Sequence, residues 1–157
     1  MAKVKPIPEG YHSVTPYLSV KGAADAIEFY KKAFGATEIM RMAAPGGKIG
    51  HAEIQIGDSR IMLADEYPEM GFVSPQTVGG SPVMIHLYVD DVDVTFNQAV
   101  RAGATATKPL EDQFYGDRAG GLKDPFGHLW YVSTHKEDVT PEEMKERAAK
   151  AMSAASA

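Results

Sequence analysis

The chain contains a version of itself. "LSVKGAADAIEFYKKAFGAT" (18–37) lies alongside "LYVDDVDVTFNQAVRAGAT" (87–105). Leu18 and Val20 match Leu87 and Val89 at an offset of 69, and Gly35-Ala36-Thr37 matches Gly103-Ala104-Thr105 at 68, one residue being dropped within the helix. Two copies point to a duplicated module inside one domain, because a solenoid needs three or more repeats to bury its faces. The length of 157 residues agrees with one domain spanning 1–157.

Each half reads as strand, helix, then three strands. Val14, Pro16, Leu18 and Val20 share one face of a strand over 14–20, with Thr15, Tyr17 and Ser19 on the other. Ala23, Ala26, Ile27, Tyr30, Ala33 and Phe34 follow helical spacing, and Gly35 ends that helix. Strands follow near 37–43, 49–56 and 60–64, joined by "APGGK" and "GDS". The second half predicts a strand over 83–89 and a helix with Val92, Phe96, Ala99 and Val100 on one stripe. Its remaining strands fall near 104–109, 117–123 and 128–134. In "DPFGHLWYV", Asp124 to Gly127 suits a type I turn, with Pro at the second position and Gly at the fourth. Module one therefore covers about 11–66, a Pro/Gly/Ser-rich linker 67–82, and module two about 83–135. The linker is placed to cover a site. Thr140-Pro141-Glu142-Glu143 is a helix start with a capping box, predicting a helix over about 140–154 as an appendage.

Composition bounds the function. The net charge of −5 gives no phosphate-binding footprint, which sets nucleic acid aside. With no cysteine there is no disulfide framework, thiol nucleophile or thiolate metal site. No apolar run approaches membrane-spanning length, and "MAKVKPIPEGYH" lacks the apolar core of a secretory signal, so the expected location is the cytoplasm. "PGGK" and "VGG" lack the strand-to-helix context of a phosphate loop, and no G-x-S-x-G elbow occurs. Asp90, Asp91 and Asp93 favour a helix N-terminus and lack the Gly and Glu of a calcium loop.

The paired βαβββ modules resemble the vicinal-oxygen-chelate superfamily of glyoxalase I, bleomycin-resistance proteins and extradiol dioxygenases. "VTPYLSVKGAADAIEFYKKAFGA", "HAEIQIGDSRIMLAD", "LYVDDVD" and "GDRAGGLKDPFGHLW" resemble its PhnB-like branch, over roughly 11–138. The resemblance implies an α+β fold in which two curled mixed sheets enclose a cleft, with helices outside and a C-terminal helix added. It also implies a homodimer, relatives often building each cleft at or beside a two-fold interface. Strand parity then places Thr15, Tyr17 and Ser19, Met84, His86 and Tyr88, and Tyr131 on the cleft side, with Trp130 in the core.

Metal-dependent relatives place four ligands, usually His and Glu, on the first and fourth strands of each module. Carried across, those positions fall on Thr15, Met84, Met62 or Leu63, and Tyr131, a poor donor set for Zn, Ni, Mn or Fe. The usual metal centre is thus not expected, and no cofactor is required. A displaced divalent-metal site would draw on His51, Glu53 and His86. The alternative reading of His51 and Glu53 is a half-exposed strand face meeting water; that of His86 is pocket lining or a structural histidine. "EDQFYGDR" (111–118) offers Phe114 and Tyr115 for stacking and Arg118 for orienting a polar group. Equally, Arg118 could pair with Asp112 or Asp117 to order a loop. Asp65 could meet a cation near the cleft or simply end a strand.

The reading that follows is a protein binding a small organic molecule through Thr15, Tyr17, Met84, His86, Tyr88, Phe114, Tyr115, Arg118 and Tyr131. The alternative is a metal-dependent lyase, isomerase or dioxygenase-type enzyme with the displaced site, or one using His86 as general base. A third reading, an interaction protein, predicts a cleft plugged by its own side chains.

Overall fold

The computed structural model describes residues 4–155. Module one comprises β1 (Tyr17–Val20), α1 (Ala23–Phe34), β2 (Thr37–Ala43), β3 (Ile49–Ile56) and β4 (Ser59–Asp65). A linker carrying the short helix α2 (Pro75–Val78) leads to module two: β5 (Met84–Tyr88), α3 (Val92–Ala102), β6 (Thr105–Asp112), β7 (Asp117–Lys123) and β8 (Leu129–His135). Helix α4 (Pro141–Ala155) follows. The strands form two four-stranded mixed sheets ordered β1-β4-β3-β2 and β5-β8-β7-β6, so the duplication read in the sequence is a duplication of topology. In each sheet the first strand pairs in parallel with the last, and the other neighbours are antiparallel.

Both first strands start later than alternation predicts, β1 by three residues and β5 by one. Pro16 has no N–H to give a ladder and pairing begins at Tyr17; in module two the Val83 N–H is turned to the Ser81 hydroxyl and pairing begins at Met84. Val14 and Val83 were expected under the helices but precede the strands and are 85% and 65% exposed. Leu18 and Val20 are buried, whereas their counterparts Leu87 and Val89, and Ile85 beside them, are only half-buried.

Helix α1 has no capping side chain at Gly22; the cap comes from the end of the neighbouring strand β4. The buried Asp65 carboxylate accepts from the Gly22 and Ala23 N–H groups at 2.8 and 3.0 Å and from Ile49 N–H at 2.7 Å. This satisfies the unpaired donors of the first turn and suits the positive helix end. Asp65 is therefore neither a cation ligand nor a solvated strand end. Its counterpart 69 residues on, Thr134, performs the same task with a hydroxyl, accepting from Val92 N–H at 2.8 Å and donating to Val89 O. Asp91 supplies the ordinary N-cap of α3 to Val94 N–H.

The modules share one core. Helices α1 and α3 lie on the apolar faces of the sheets and pack on each other, and Gln98 donates to the Lys32 carbonyl at 2.7 Å. Phe34 and Tyr30 of α1 reach the buried Trp130 of β8 at ring distances of 4.6 and 5.5 Å. Gly120 makes room for α3, since a Cβ there would lie 2.6 Å from the Phe96 ring. Asp124 ties the contact together. Its Oδ1 accepts from the Phe126 and His128 N–H groups at 2.9 Å, the expected turn chemistry. Its Oδ2 accepts from Tyr30 Oη at 2.7 Å and Trp130 Nε1 at 2.9 Å, which reach it from α1 and β8. Burial and this carboxylate hold the Tyr30 phenol well above its usual pKa. His128, at the bend, donates from Nε2 to the Ser19 carbonyl at 3.0 Å and so joins the turn to β1.

The linker is held by Glu66, whose carboxylate accepts from Ser74 N–H at 2.8 Å and from Thr77 Oγ1 at 2.7 and 2.9 Å. The Ser74 N–H foremost pulls the Glu66 pKa from 4.5 down to about 2. A carboxyl with a depressed native pKa stabilises the fold above its unfolded pKa, and that support fades as pH falls from 4.5 through about 2. The Ser74 amide resonance is accordingly expected to titrate with a midpoint near pH 2, and to lose that transition in Glu66→Gln; a midpoint near 4.5 would contradict the assignment.

Helix α4 starts as predicted, with Glu143 N–H donating to Thr140 Oγ1 at 3.3 Å. The Glu143 carboxylate does not complete a box; it pairs with Arg147, which also binds Glu137 and the Phe114 carbonyl. Among the described residues no helix is long and apolar enough to cross a membrane.

Candidate functional site

Each sheet has one face on the helices and one turned away from the shared core. On these open faces the duplication aligns two rows of side chains. Tyr17, Met62, Glu53 and Met40 cross the first sheet; His86, Tyr131, Gly121 and Lys108 cross the second. This register places Met62 on the open face and Leu63 in the core, settling which of the two occupies the fourth-strand position.

The second face is lined by rings. His86 stacks on Tyr88 with centroids 4.6 Å apart and meets Tyr131 edge-on at 5.3 Å. Tyr131 and Tyr115 share a hydrogen bond between hydroxyls at 3.1 Å; burial and this contact raise the Tyr115 pKa. His86 Nε2 lies 2.8 Å from the buried Ser133 hydroxyl, which fixes the ring plane. Tyr88 donates to the buried Asp117 carboxylate at 3.1 Å, and Asp117 also meets His135 Nδ1 at 2.7 Å. His135 lies between Asp117 and Asp138, and these carboxylates, Asp117 foremost, raise its pKa. The Lys108 ammonium sits 5.9 Å over the Tyr131 ring. Met84 and Phe114 extend this surface, both exposed, with Phe114 edge-on to Tyr115.

The first face carries a hydrogen-bonded chain that spacing alone did not reveal. Tyr17 Oη lies 2.7 Å from His51 Nδ1, and His51 Nε2 lies 3.1 Å from Glu53 Oε1. Tyr11 donates to the other Glu53 oxygen, and its hydroxyl foremost lowers the Glu53 pKa. A carboxylate can only accept, so His51 carries its proton on Nε2 and receives the Tyr17 hydroxyl at Nδ1. His51 and Glu53 were visible as an i, i+2 pair; Tyr17 joins them because β1 pairs with β4 and β4 with β3. Phe72 of the linker meets the Tyr17 ring edge-on at 5.5 Å.

Of the residues proposed from the sequence, the structure gathers Met84, His86, Tyr88, Phe114, Tyr115 and Tyr131 on one face. Tyr17 lies on the other module's open face. Thr15 precedes β1 and, with His86 and Tyr88, lines a hollow on the seam between the modules. Arg118 stands on the helix side, where Nε and Nη2 bind the Asp93 carboxylate at 2.8 and 2.9 Å and Nη1 reaches Asp112 at 3.3 Å. Arg118 thus orders the β6–β7 connection to α3 and is not on the ring-lined face.

The residues do not fit a metal centre. The four positions of metal-dependent relatives hold Thr15, Met62, Met84 and Tyr131. In the displaced set, His51 and Glu53 are bonded to each other while His86 is bound to Ser133 on the other sheet. Among the described residues no group of three His, Asp or Glu side chains is arranged to hold a metal ion.

Two βαβββ modules with paired open faces define the superfamily, and comparison agrees. The family model of the Glyoxalase/Bleomycin resistance protein/Dioxygenase superfamily matches residues 10–132, so the chain belongs to that superfamily. An uncharacterized protein of Mycobacterium tuberculosis is 44% identical over 136 residues, covering 85% of this chain and 80% of that protein. TioX from Micromonospora sp. ML1 is similar in structure, with a TM-score of 0.62 at 26% identity over 79% of this chain and 98% of TioX. A PhnB protein from Bacillus cereus superposes with a TM-score of 0.63 at 17% identity over 78% of this chain and 99% of that protein, a likeness of fold alone.

Proposed function

We propose that this chain binds a small organic molecule on the ring-lined face of its second module. The carrying observation is the contact set of His86, Tyr88, Tyr115 and Tyr131, four flat amphipathic side chains held edge-on, stacked or hydroxyl to hydroxyl on an open strand face. Such rings supply apolar contact, while their hydroxyls and the imidazole orient polar groups. The protein is proposed to act in the cytoplasm as a homodimer in which the open faces are closed by a second copy. Its exposed large apolar side chains favour this: Tyr17, Met40 and Met42 lie on one face and Met84, Tyr88 and Phe114 on the other.

A thermal-shift screen of antibiotics and metabolites, with and without divalent metals, tests the reading. A ligand at about a hundred times its dissociation constant stabilises by about 2.7 kcal/mol. Tyr131→Ala is expected to weaken that ligand at least roughly tenfold, about 1.4 kcal/mol, through loss of ring contact. Stabilisation unchanged in Tyr131→Ala would move the ligand elsewhere.

The Tyr17–His51–Glu53 chain favours a second reading, an enzyme that moves a proton. His51, oriented by Glu53, would take the Tyr17 proton as Tyr17 takes one from substrate, leaving an imidazolium beside a carboxylate. Turnover of a screened ligand that disappears in His51→Ala supports it; binding without turnover supports the first. Stoichiometric Ni, Zn, Mn or Fe lost on His86→Ala would restore the displaced metal site.

A further inference from the structure

We infer that the seam between the modules is a second ligand site, built for a small molecule with an apolar body and one carboxylate. It goes beyond the ring-lined face, which it borders at His86 and Tyr88. The seam holds a hollow of about 520 Å³, the size of a small-molecule pocket. One wall is apolar: Ile61, Ile85, Leu87 and Trp130. Ile85 and Leu87 belong to the row that should be sheathed by helix, and Leu18, the counterpart of Leu87, is 5% exposed. In module two that covering is missing, and the half-buried pair faces the hollow.

Arg60 lines the same hollow. Its guanidinium is held from behind, with the Tyr11 ring 5.1 Å away and Gly10 so close that a Cβ there would lie 2.7 Å from Nη2. It is ion-paired with Glu53 and interacts with the Tyr11 hydroxyl, and one donor is left over. Nε is buried without a partner, and the nearest carboxylate, Glu53, stands 3.9 Å from Nη1, too far for a hydrogen bond. Glu53 is already engaged by Tyr11 and His51. Asp58, also at the hollow, is occupied by the Ser59 hydroxyl at 2.8 Å. A fixed guanidinium with an unused donor beside an apolar wall matches a carboxylate whose hydrocarbon end lies on the half-buried Ile85 and Leu87, next to the buried Trp130 that pairs with Ile85.

Trp130 is the chain's one tryptophan, so its fluorescence reports this hollow. The test titrates octanoate and octanamide, equal in shape and differing in charge, into wild type, Arg60→Met and Arg101→Met. Octanoate is expected to give a saturable change in Trp130 emission at least roughly tenfold tighter than octanamide, an advantage lost in Arg60→Met and kept in Arg101→Met. Equal binding of acid and amide by wild type, which needs no variant to fold, would overturn the carboxylate assignment. No saturable change with either would overturn the site itself. Neither result touches the ring-lined face, which is read by Tyr131→Ala.

Discussion

Replacing Asp124 with alanine is expected to destabilise the fold by about 4 kcal/mol, lowering the thermal midpoint by about 10 °C. The side chain is 3% exposed and accepts four hydrogen bonds: two from its own turn, one from Tyr30 and one from Trp130. Removing it leaves four donors in a dry space, and a buried donor without a partner costs about 1–3 kcal/mol. The loss also falls where α1 of one module packs on β8 of the other. Asp124→Asn keeps an oxygen for the turn but sets an amide against the Tyr30 hydroxyl and the Trp130 N–H, and is expected to cost about half as much. Urea unfolding followed by Trp130 emission measures both. An alanine variant within about 1 kcal/mol of wild type would contradict the central place given to this carboxylate.

Asp65→Ala is the second large effect, at about 3 kcal/mol. Three N–H groups lose their acceptor, two from the first turn of α1 and one at the start of β3. Gly22 has no side chain to take over. The duplication supplies a control: Thr134 accepts only one N–H at the start of α3, where the Asp91 side chain supplies the N-cap, so Thr134→Val should cost about 1 kcal/mol. Equal losses at the two positions would mean that Asp65 does no more than an ordinary cap.

Much of the fold is legible because periodicity is local. The helical stripes, the alternation that buries Trp130 and leaves Tyr131 on the open face, and the glycine that ends α1 all act within a few residues. Pro16 was equally local, and it accounts for β1 beginning only at Tyr17. Other features were beyond reach. "DRAGG" has too few large side chains to show which way β7 alternates, so ligand contact and pairing with Asp112 stood level for Arg118 until the structure showed the pair with Asp112, joined by Asp93. "RIMLAD" is apolar on both faces, which left Met62 and Leu63 unresolved until pairing with Tyr17 fixed the register. Asp124 was readable as a turn residue, but its bond to Tyr30 spans 94 positions and no spacing rule carries that far. The Tyr17–His51–Glu53 chain likewise exists only through the order β1-β4-β3. Asp65 and Thr134 stand 69 apart, the repeat offset, and their shared task became visible only in the hydrogen bonds each accepts at a helix start.

The duplication also separates the two faces chemically. At matching register positions module one places Tyr17, Met62 and Glu53, and module two places His86, Tyr131 and Gly121. Ring surface is concentrated on the second and a polar hydrogen-bonded chain on the first. A dimer that brings one face of each copy together would set rings opposite that chain.

The most direct measurement is chemical-shift mapping of the best stabiliser from the thermal screen on isotope-labelled protein. Binding at the proposed site predicts the largest changes at His86, Tyr88, Tyr115 and Tyr131, with Met84 methyl shifts following the same saturation curve and Arg118 unmoved. Changes centred on the helix side of the sheets, or a stabiliser that leaves those four rings unperturbed, would contradict it.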